Sequence, residues 1–184
     1  MGRPKKYDRE KVLKAAMTVF WNQGFAHTSL QDLEKATGVN KSGLYTEFNS
    51  KDDIFVSSLE FYYGNRGSGE ILIREPLGWK NIEDFFLFIG KGWSGQYGCL
   101  NINSMREIKI LPAKAKKMVK GSRSKLVALL EDNIAAEQTK MPARKLAEIA
   151  ATFFSGFCIE QNLKISNTSA AEQIDDFMNS IRAM

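Results

Sequence analysis

The apolar residues of this 184-residue chain recur at steps of three and four almost from end to end, and no run alternates well enough to pair into a sheet. That spacing puts one stripe of each segment on one side of a helix, and the stripe must be buried against other helices. The fold class expected is therefore all-α. Val12, Leu13, Ala16, Met17 and Phe20 mark a first helix, which Gly24 stops. Thr28-Ser29-Leu30-Gln31 reads as a capping box, with the Thr28 hydroxyl on a new helix and Gln31 reaching back. Leu30, Leu33 and Ala36 give that helix a buried face, and Gly38 ends it. Asn40 can cap a third helix, in which Leu44 and Phe48 share a side. Ser50 can cap a fourth, with Asp52 and Asp53 in its first turn as the helix dipole favours.

Gly64, Gly67, Gly69, Pro76 and Gly78 mark a break. The expected division is a unit over residues 1–60 and a larger helical unit over residues 61–184. In the second, Ile82 to Ile89 is strongly apolar and Gly90 to Gly98 is a glycine-rich interruption. Pro112 can open a helix running to about Gln138. Pro142 can open another, with Leu146, Ile149, Ala150, Phe153 and Phe157 as its apolar side, and Ile174, Phe177, Met178 and Ile181 stripe a last one.

The formal charge is +5, which suits a polyanion partner without requiring one. Basic residues concentrate in Arg3, Lys5, Lys6, Arg9, Lys11 and Lys14, and again between Lys109 and Lys125. No apolar stretch approaches the ~20 residues of a membrane span, and the N-terminus lacks the apolar segment of a signal peptide. A cytoplasmic location is expected. Two cysteines, Cys99 and Cys158, are too few for a disulfide scaffold.

Two short helices joined at Gly38-Val39-Asn40 form a helix-turn-helix candidate. Such a unit lays its second helix in the DNA major groove and uses the first residues of that helix on base edges. Lys41 can donate to guanine or phosphate, and Ser42 can donate or accept at base edges. Gly43 lets the backbone approach DNA closely. Tyr45 and Thr46 offer hydroxyls, and Lys51 can meet a phosphate at a helix start.

At these positions the sequence resembles the TetR family of repressors. The match runs from about Asp8 to Leu59, through Phe20-Trp21-Asn22-Gln23-Gly24-Phe25, Thr28-Ser29-Leu30-Gln31-Asp32-Leu33, Ala36-Thr37-Gly38-Val39, Gly43-Leu44-Tyr45, Phe48 and Ser50-Lys51. The resemblance implies an N-terminal three-helix DNA-binding domain and a helical C-terminal domain for ligand binding and dimerisation. It implies a homodimer through the two C-terminal helices, bound to double-stranded operator DNA and released by a small-molecule inducer or by oxidative or electrophilic stress. It places DNA contacts at Thr28, Lys41, Ser42, Gly43, Tyr45, Thr46 and Lys51, with Arg3 and Lys5 of an N-terminal arm at the neighbouring minor groove.

Several features admit two readings. Tyr45 either contacts DNA or packs beneath its helix. Glu47 either accepts from cytosine N4 or points outward and pairs with a lysine; the second is favoured because phosphates repel an unused acid. The Lys109–Lys125 cluster is either a solvated helix side or an auxiliary phosphate contact. Phe86, Trp93, Phe153 and Phe157 are candidates for an inducer pocket, with ordinary core packing as the alternative. Cys99, beside the glycine-rich segment, is a redox candidate if a cation such as Lys164 lowers its pKa. Gly90-Lys91-Gly92-Trp93-Ser94-Gly95 formally matches a dinucleotide fingerprint, but that needs a preceding strand and a following helix. Gln96-Tyr97-Gly98 is a poor helix. The lone histidine, His27, makes no metal site by itself, and no paired histidines, nucleophile elbow or C-x-x-C occurs. No enzyme, cofactor or metal is expected.

Overall fold

In a computed structural model, residues 7–93, 95–163 and 168–184 are described, and their regular structure is ten α-helices. They are α1 (Arg9–His27), α2 (Leu30–Thr37), α3 (Lys41–Glu47), α4 (Lys51–Asn65), α5 (Ser68–Ile71), α6 (Trp79–Gly90), α7 (Leu100–Met105), α8 (Ala113–Ala135), α9 (Ala143–Leu163) and α10 (Ala170–Arg182). The chain divides into two compact units: residues up to Asn65 with Asn103–Met118, and Arg66–Ile102 with Val119–Met184. The division falls inside α7 and inside α8.

In the first unit, the i, i+3, i+4 stripe of α1 packs on α2 and α4. Ala16, Met17, Phe20, Leu33, Leu44, Phe48, Ile54, Phe55 and Leu59 are all buried. Each large side chain among them contributes about 1.5–3 kcal/mol by leaving water. The Phe20 and Phe55 rings meet edge-on at 5.0 Å, and Trp21 meets Tyr62 at 5.2 Å. Local signals set the helix ends. Asp8 caps α1 by accepting from the Glu10 and Lys11 amides. Gly24 breaks the helical path, at φ 79° and ψ 171°. The Asn40 carboxamide accepts from Gly43 N at 2.9 Å and Ser50 Oγ from Asp53 N at 3.2 Å, as their positions predict.

The cap of α2 lies one residue later than expected. Ser29 Oγ accepts from Asp32 N at 3.2 Å and the Asp32 carboxylate accepts from Ser29 N at 2.8 Å. Thr28 does not serve: its buried hydroxyl is turned back toward α1 and donates to Gly24 O at 2.6 Å. Asp32 also accepts from the Ser29 hydroxyl, and these bonds hold its carboxyl below the ordinary range. A carboxylate is a better reciprocal partner than the Gln31 amide.

The second unit packs α6 against α5, α9 and α10. Ile82, Phe85, Phe86, Ile89, Leu130, Ile134, Leu146, Ala150, Phe154, Phe157, Cys158, Ile174 and Met178 are buried. Pro112 and Pro142 stand immediately before α8 and α9, and their carbonyls accept from Lys116 N and Lys145 N at 2.9 Å. The apolar run Ile82–Ile89 is helix, not strand, and Gly90 is its last residue. The residues after it form a turn in which Trp93 and Gln96 exchange backbone hydrogen bonds at 2.7 and 2.9 Å. The dinucleotide fingerprint therefore lacks both of its required neighbours.

Candidate nucleic-acid interface

Helix α3 is short, and its entry is fixed on three sides. Gly38 takes the left-handed conformation at φ 68° and its amide returns to Glu34 O at 2.9 Å. Asn40 caps the first turn, and the Glu34 carboxylate accepts from the Lys41 amide. A carboxylate at that end also complements the helix dipole. Leu44 and Phe48 bury one side of the helix completely. The opposite side therefore points outward and carries Lys41, Ser42, Tyr45 and Thr46, all exposed. Tyr45 is 43% exposed, which decides against its packing beneath the helix. The Lys41 ammonium lies 5.9 Å from the Tyr45 ring centroid, and Thr46 Oγ1 donates to Ser42 O at 2.8 Å. Together they make a row of hydrogen-bonding groups about two turns long.

Gly43 is half-buried and leaves no room for a side chain. A Cβ there would stand 2.7 Å from Val39 Cγ1 and 3.2 Å from the Asn40 carboxamide oxygen. The Gly43 carbonyl accepts from the Tyr7 hydroxyl at 2.6 Å. Burial, and then the charge of Glu47, raise the pKa of that hydroxyl. Glu47 meets a cation, but the cation is Arg9, at 3.7 Å, rather than a lysine. The Arg9 guanidinium also lies over the Phe48 ring at 5.4 Å. Gly43→Ala is expected to lower the unfolding free energy by about 1 kcal/mol, because overpacking against Val39 exceeds the gain in helix propensity. A urea melt measures it; a stabilised variant would show that Val39 turns aside.

Lys51 is also turned toward the protein. Its ammonium donates to Phe25 O at 2.9 Å and Thr28 O at 3.0 Å, and lies 4.4 Å from the Phe25 ring centroid. Lys51 thus ties the start of α4 to the turn between α1 and α2. Arg3 and Lys5 lie outside the described residues. Sequence reasoning also missed Tyr7, Arg9 and Glu34, whose polar groups reach α3 from outside it. No sequence spacing signals such partners.

The remaining candidates belong to other segments of the chain. In the basic cluster, Lys114 pairs with Glu60 at 2.7 Å and Lys116 donates to Lys109 O at 2.8 Å. Lys117, Lys120 and Lys125 are exposed. Phe86 is wholly buried and meets Phe153 at 5.3 Å and Phe177 at 5.5 Å. Phe153 stacks on Phe177 at 3.8 Å and on Phe157 at 5.7 Å. Trp93 stands half-buried in the turn after α6. Cys99 and Cys158 are both buried thiols. Burial, and then the neighbouring Cys99, push the Cys158 thiol well above its ordinary pKa, while Arg66 opposes the shift. Lys164 lies outside the described residues. Among the described residues no cluster of three or more metal-binding side chains occurs, and no helix is long and apolar enough to cross a membrane.

Comparison with known proteins agrees with this geometry. The sequence model described as bacterial regulatory proteins, tetR family, matches residues 12–57, which run from α1 into α4. The HTH-type transcriptional repressor ComR of Escherichia coli is 33% identical over 109 residues, 56% of this chain and 52% of ComR. The match thus spans about half the length of that relative. Among solved structures, a cysteine mutant of the TetR family transcriptional regulator CifR, complexed with 26-bp double-strand operator DNA, superposes with a TM-score of 0.82. It is 20% identical and the match covers 97% of this chain and 99% of that one. The reduced form of Escherichia coli NemR gives a TM-score of 0.76 at 19% identity, over 95% of both chains. These two likenesses concern the fold. Over residues 12–57, which hold the helix-turn-helix of α2 and α3 and the outward row on α3, the chain is similar to the regulatory proteins of the tetR family.

Proposed function

We propose that this protein is a sequence-specific DNA-binding transcriptional regulator that represses by occupying an operator as a homodimer. The observation that carries the reading is the outward row Lys41, Ser42, Tyr45 and Thr46 on a short helix whose other side is buried. Lys41 and Ser42 stand at the helix start, where a recognition helix meets base edges. Tyr45 and Thr46 supply hydroxyls to bases or phosphates, and Arg3 and Lys5 follow the minor groove. Thr28, Gly43 and Lys51 serve the same surface by holding α2, α3 and α4 in register. Residues 1–60 form the DNA-binding domain and residues 61–184 the ligand-binding and dimerisation domain. No catalysis or cofactor is assigned.

Dimerisation through α9 and α10 brings two copies of α3 to successive major grooves, ~34 Å apart. Release follows when a small molecule, or oxidation at Cys99, favours a spacing that no longer fits. The aromatic cluster of Phe86, Phe153 and Phe157, with Trp93 nearby, suits an apolar or aromatic effector. The regulator acts in the cytoplasm.

A gel shift on the DNA flanking its own gene tests the reading. Lys41→Ala is expected to weaken specific binding by about 1–3 kcal/mol for each base it reads. If Lys41 reads bases, the salt slope stays as it was. If Lys41 meets phosphate, the slope flattens by about one unit for each phosphate it no longer neutralises. Absence of salt-resistant, sequence-specific binding by the wild type would overturn the reading.

A further inference from the structure

The helical ladder of α1 is broken at Gly24, and the break leaves polar backbone groups on both sides of it. A distant segment supplies their partners. The Glu107 carboxylate accepts from Phe25 N at 2.6 Å and from Ala26 N at 2.9 Å. One turn earlier, Asn103 Nδ2 donates to Trp21 O at 3.2 Å. On the other side of the same turn, the Lys51 ammonium takes the carbonyls of Phe25 and Thr28. Thr28 then leads directly into Ser29, the cap of α2. The approach is close: a Cβ at Gly24 would lie 2.8 Å from a Glu107 carboxylate oxygen.

We infer that Glu107 is a positioning residue for DNA recognition. Its carboxylate and the Lys51 ammonium grip opposite polar edges of the turn from Gly24 to Thr28. That turn sets where α2 starts, and α2 sets the entry of α3 through Gly38 and Glu34. The inference rests on reading α3 as the recognition helix. Glu107 enters this unit from a segment about 80 residues further along the chain, just beyond α7. A change that draws this segment back removes both acceptors at once and leaves Phe25 N and Ala26 N without them. The DNA-binding shape then loses its support while every group that faces DNA stays in place on its own helix.

The test uses the full-length protein and the DNA flanking its own gene. Glu107→Gln keeps the size but presents one acceptor and an NH2 group to two N–H donors. Amide exchange at Phe25 and Ala26 is expected to quicken about tenfold or more, and affinity for the DNA to fall about tenfold, because hydrogen bonds to a charged group are the stronger kind. The salt slope should not change, since Glu107 neutralises no phosphate. Asn103→Ala should move the same quantities less. In the wild type, adding the DNA should slow exchange at Phe25 and Ala26, because a turn that favours DNA binding is favoured by DNA in return. This last comparison needs no variant and decides alone should Glu107→Gln fold poorly. A folded Glu107→Gln protein that binds within twofold of wild type, or wild-type exchange at the two amides that ignores the DNA, overturns the positioning role. Wild-type protein that does not bind the DNA overturns the recognition reading, and the role of Glu107 with it.

Discussion

Replacing Asn133 with leucine should remove roughly 4 kcal/mol from the stability of the second unit, the largest loss expected from any single polar side chain in it. Asn133 is fully buried on α8. Its Nδ2 donates to Leu72 O at 2.7 Å and Leu129 O at 2.8 Å. Its Oδ1 accepts from Gly78 N at 3.1 Å and from Asn81 Nδ2 at 2.9 Å. Every hydrogen-bonding position of the carboxamide is used. Leucine has nearly the same shape and can make none of these bonds. Leu129 O keeps its place in the helix, and Asn81 Nδ2 keeps Arg74 O at 2.7 Å and Pro76 O at 3.2 Å. Leu72 O and Gly78 N are deprived of the carboxamide that reaches them and stay beneath the protein surface. Each costs about 1–3 kcal/mol when left unsatisfied. A domain's total is about 5–15 kcal/mol, so much of it goes. Urea unfolding should show a lower midpoint with an unchanged m-value. A shift under about 1 kcal/mol would mean that water reaches these groups in the native state.

Asn133 also shows where the sequence stops being legible. Helix periodicity and caps can be read because both are local: Asn40 and Gly43, or Ser50 and Asp53, are three residues apart and meet by helix geometry alone. The outward row on α3 is legible for the same reason, since Leu44 and Phe48 choose the buried side and leave Lys41, Ser42, Tyr45 and Thr46 outside. The capping box at α2 is expected one residue too early because Thr28 and Ser29 are equally good caps in isolation. Only the bond from Thr28 to Gly24 O, a consequence of the broken helix, separates them. Helices α5 and α7, of four and six residues, are too short to show a period. The missing Cβ of Gly43 also makes room for Val39, a need that no spacing in the sequence signals. Asn103, Glu107 and Asn133 reach backbone groups 55–82 residues away, and nothing in their neighbours distinguishes them from solvated polar residues.

If the proposed homodimer forms through α9 and α10, Gly156→Trp is expected to leave each subunit folded, split that dimer and weaken operator binding about a hundredfold or more. Gly156 lies on the outward side of α9 with Ile149, Thr152 and Leu163, at steps of three, four and seven along one stripe. Ile149 is 37% exposed and Leu163 51%, large values for apolar residues so placed. A Cβ built on Gly156 meets nothing within 4 Å, so its own subunit does not need the glycine for space. A mid-helix glycine costs about 1 kcal/mol against alanine, which a close helix–helix approach would offset. Packed helices lie ~8–10 Å apart, and an indole at the crossing is too large for the near end of that range. A chain bound through one half-site loses the effective concentration that links the two, worth about 10²–10⁴ in affinity. Sedimentation equilibrium and a gel shift on the same DNA measure the two effects together. Gly156→Ala is the control: it should raise the melting temperature slightly and keep the dimer. A tryptophan variant that sediments as a dimer and binds like wild type would place the subunit interface on another surface.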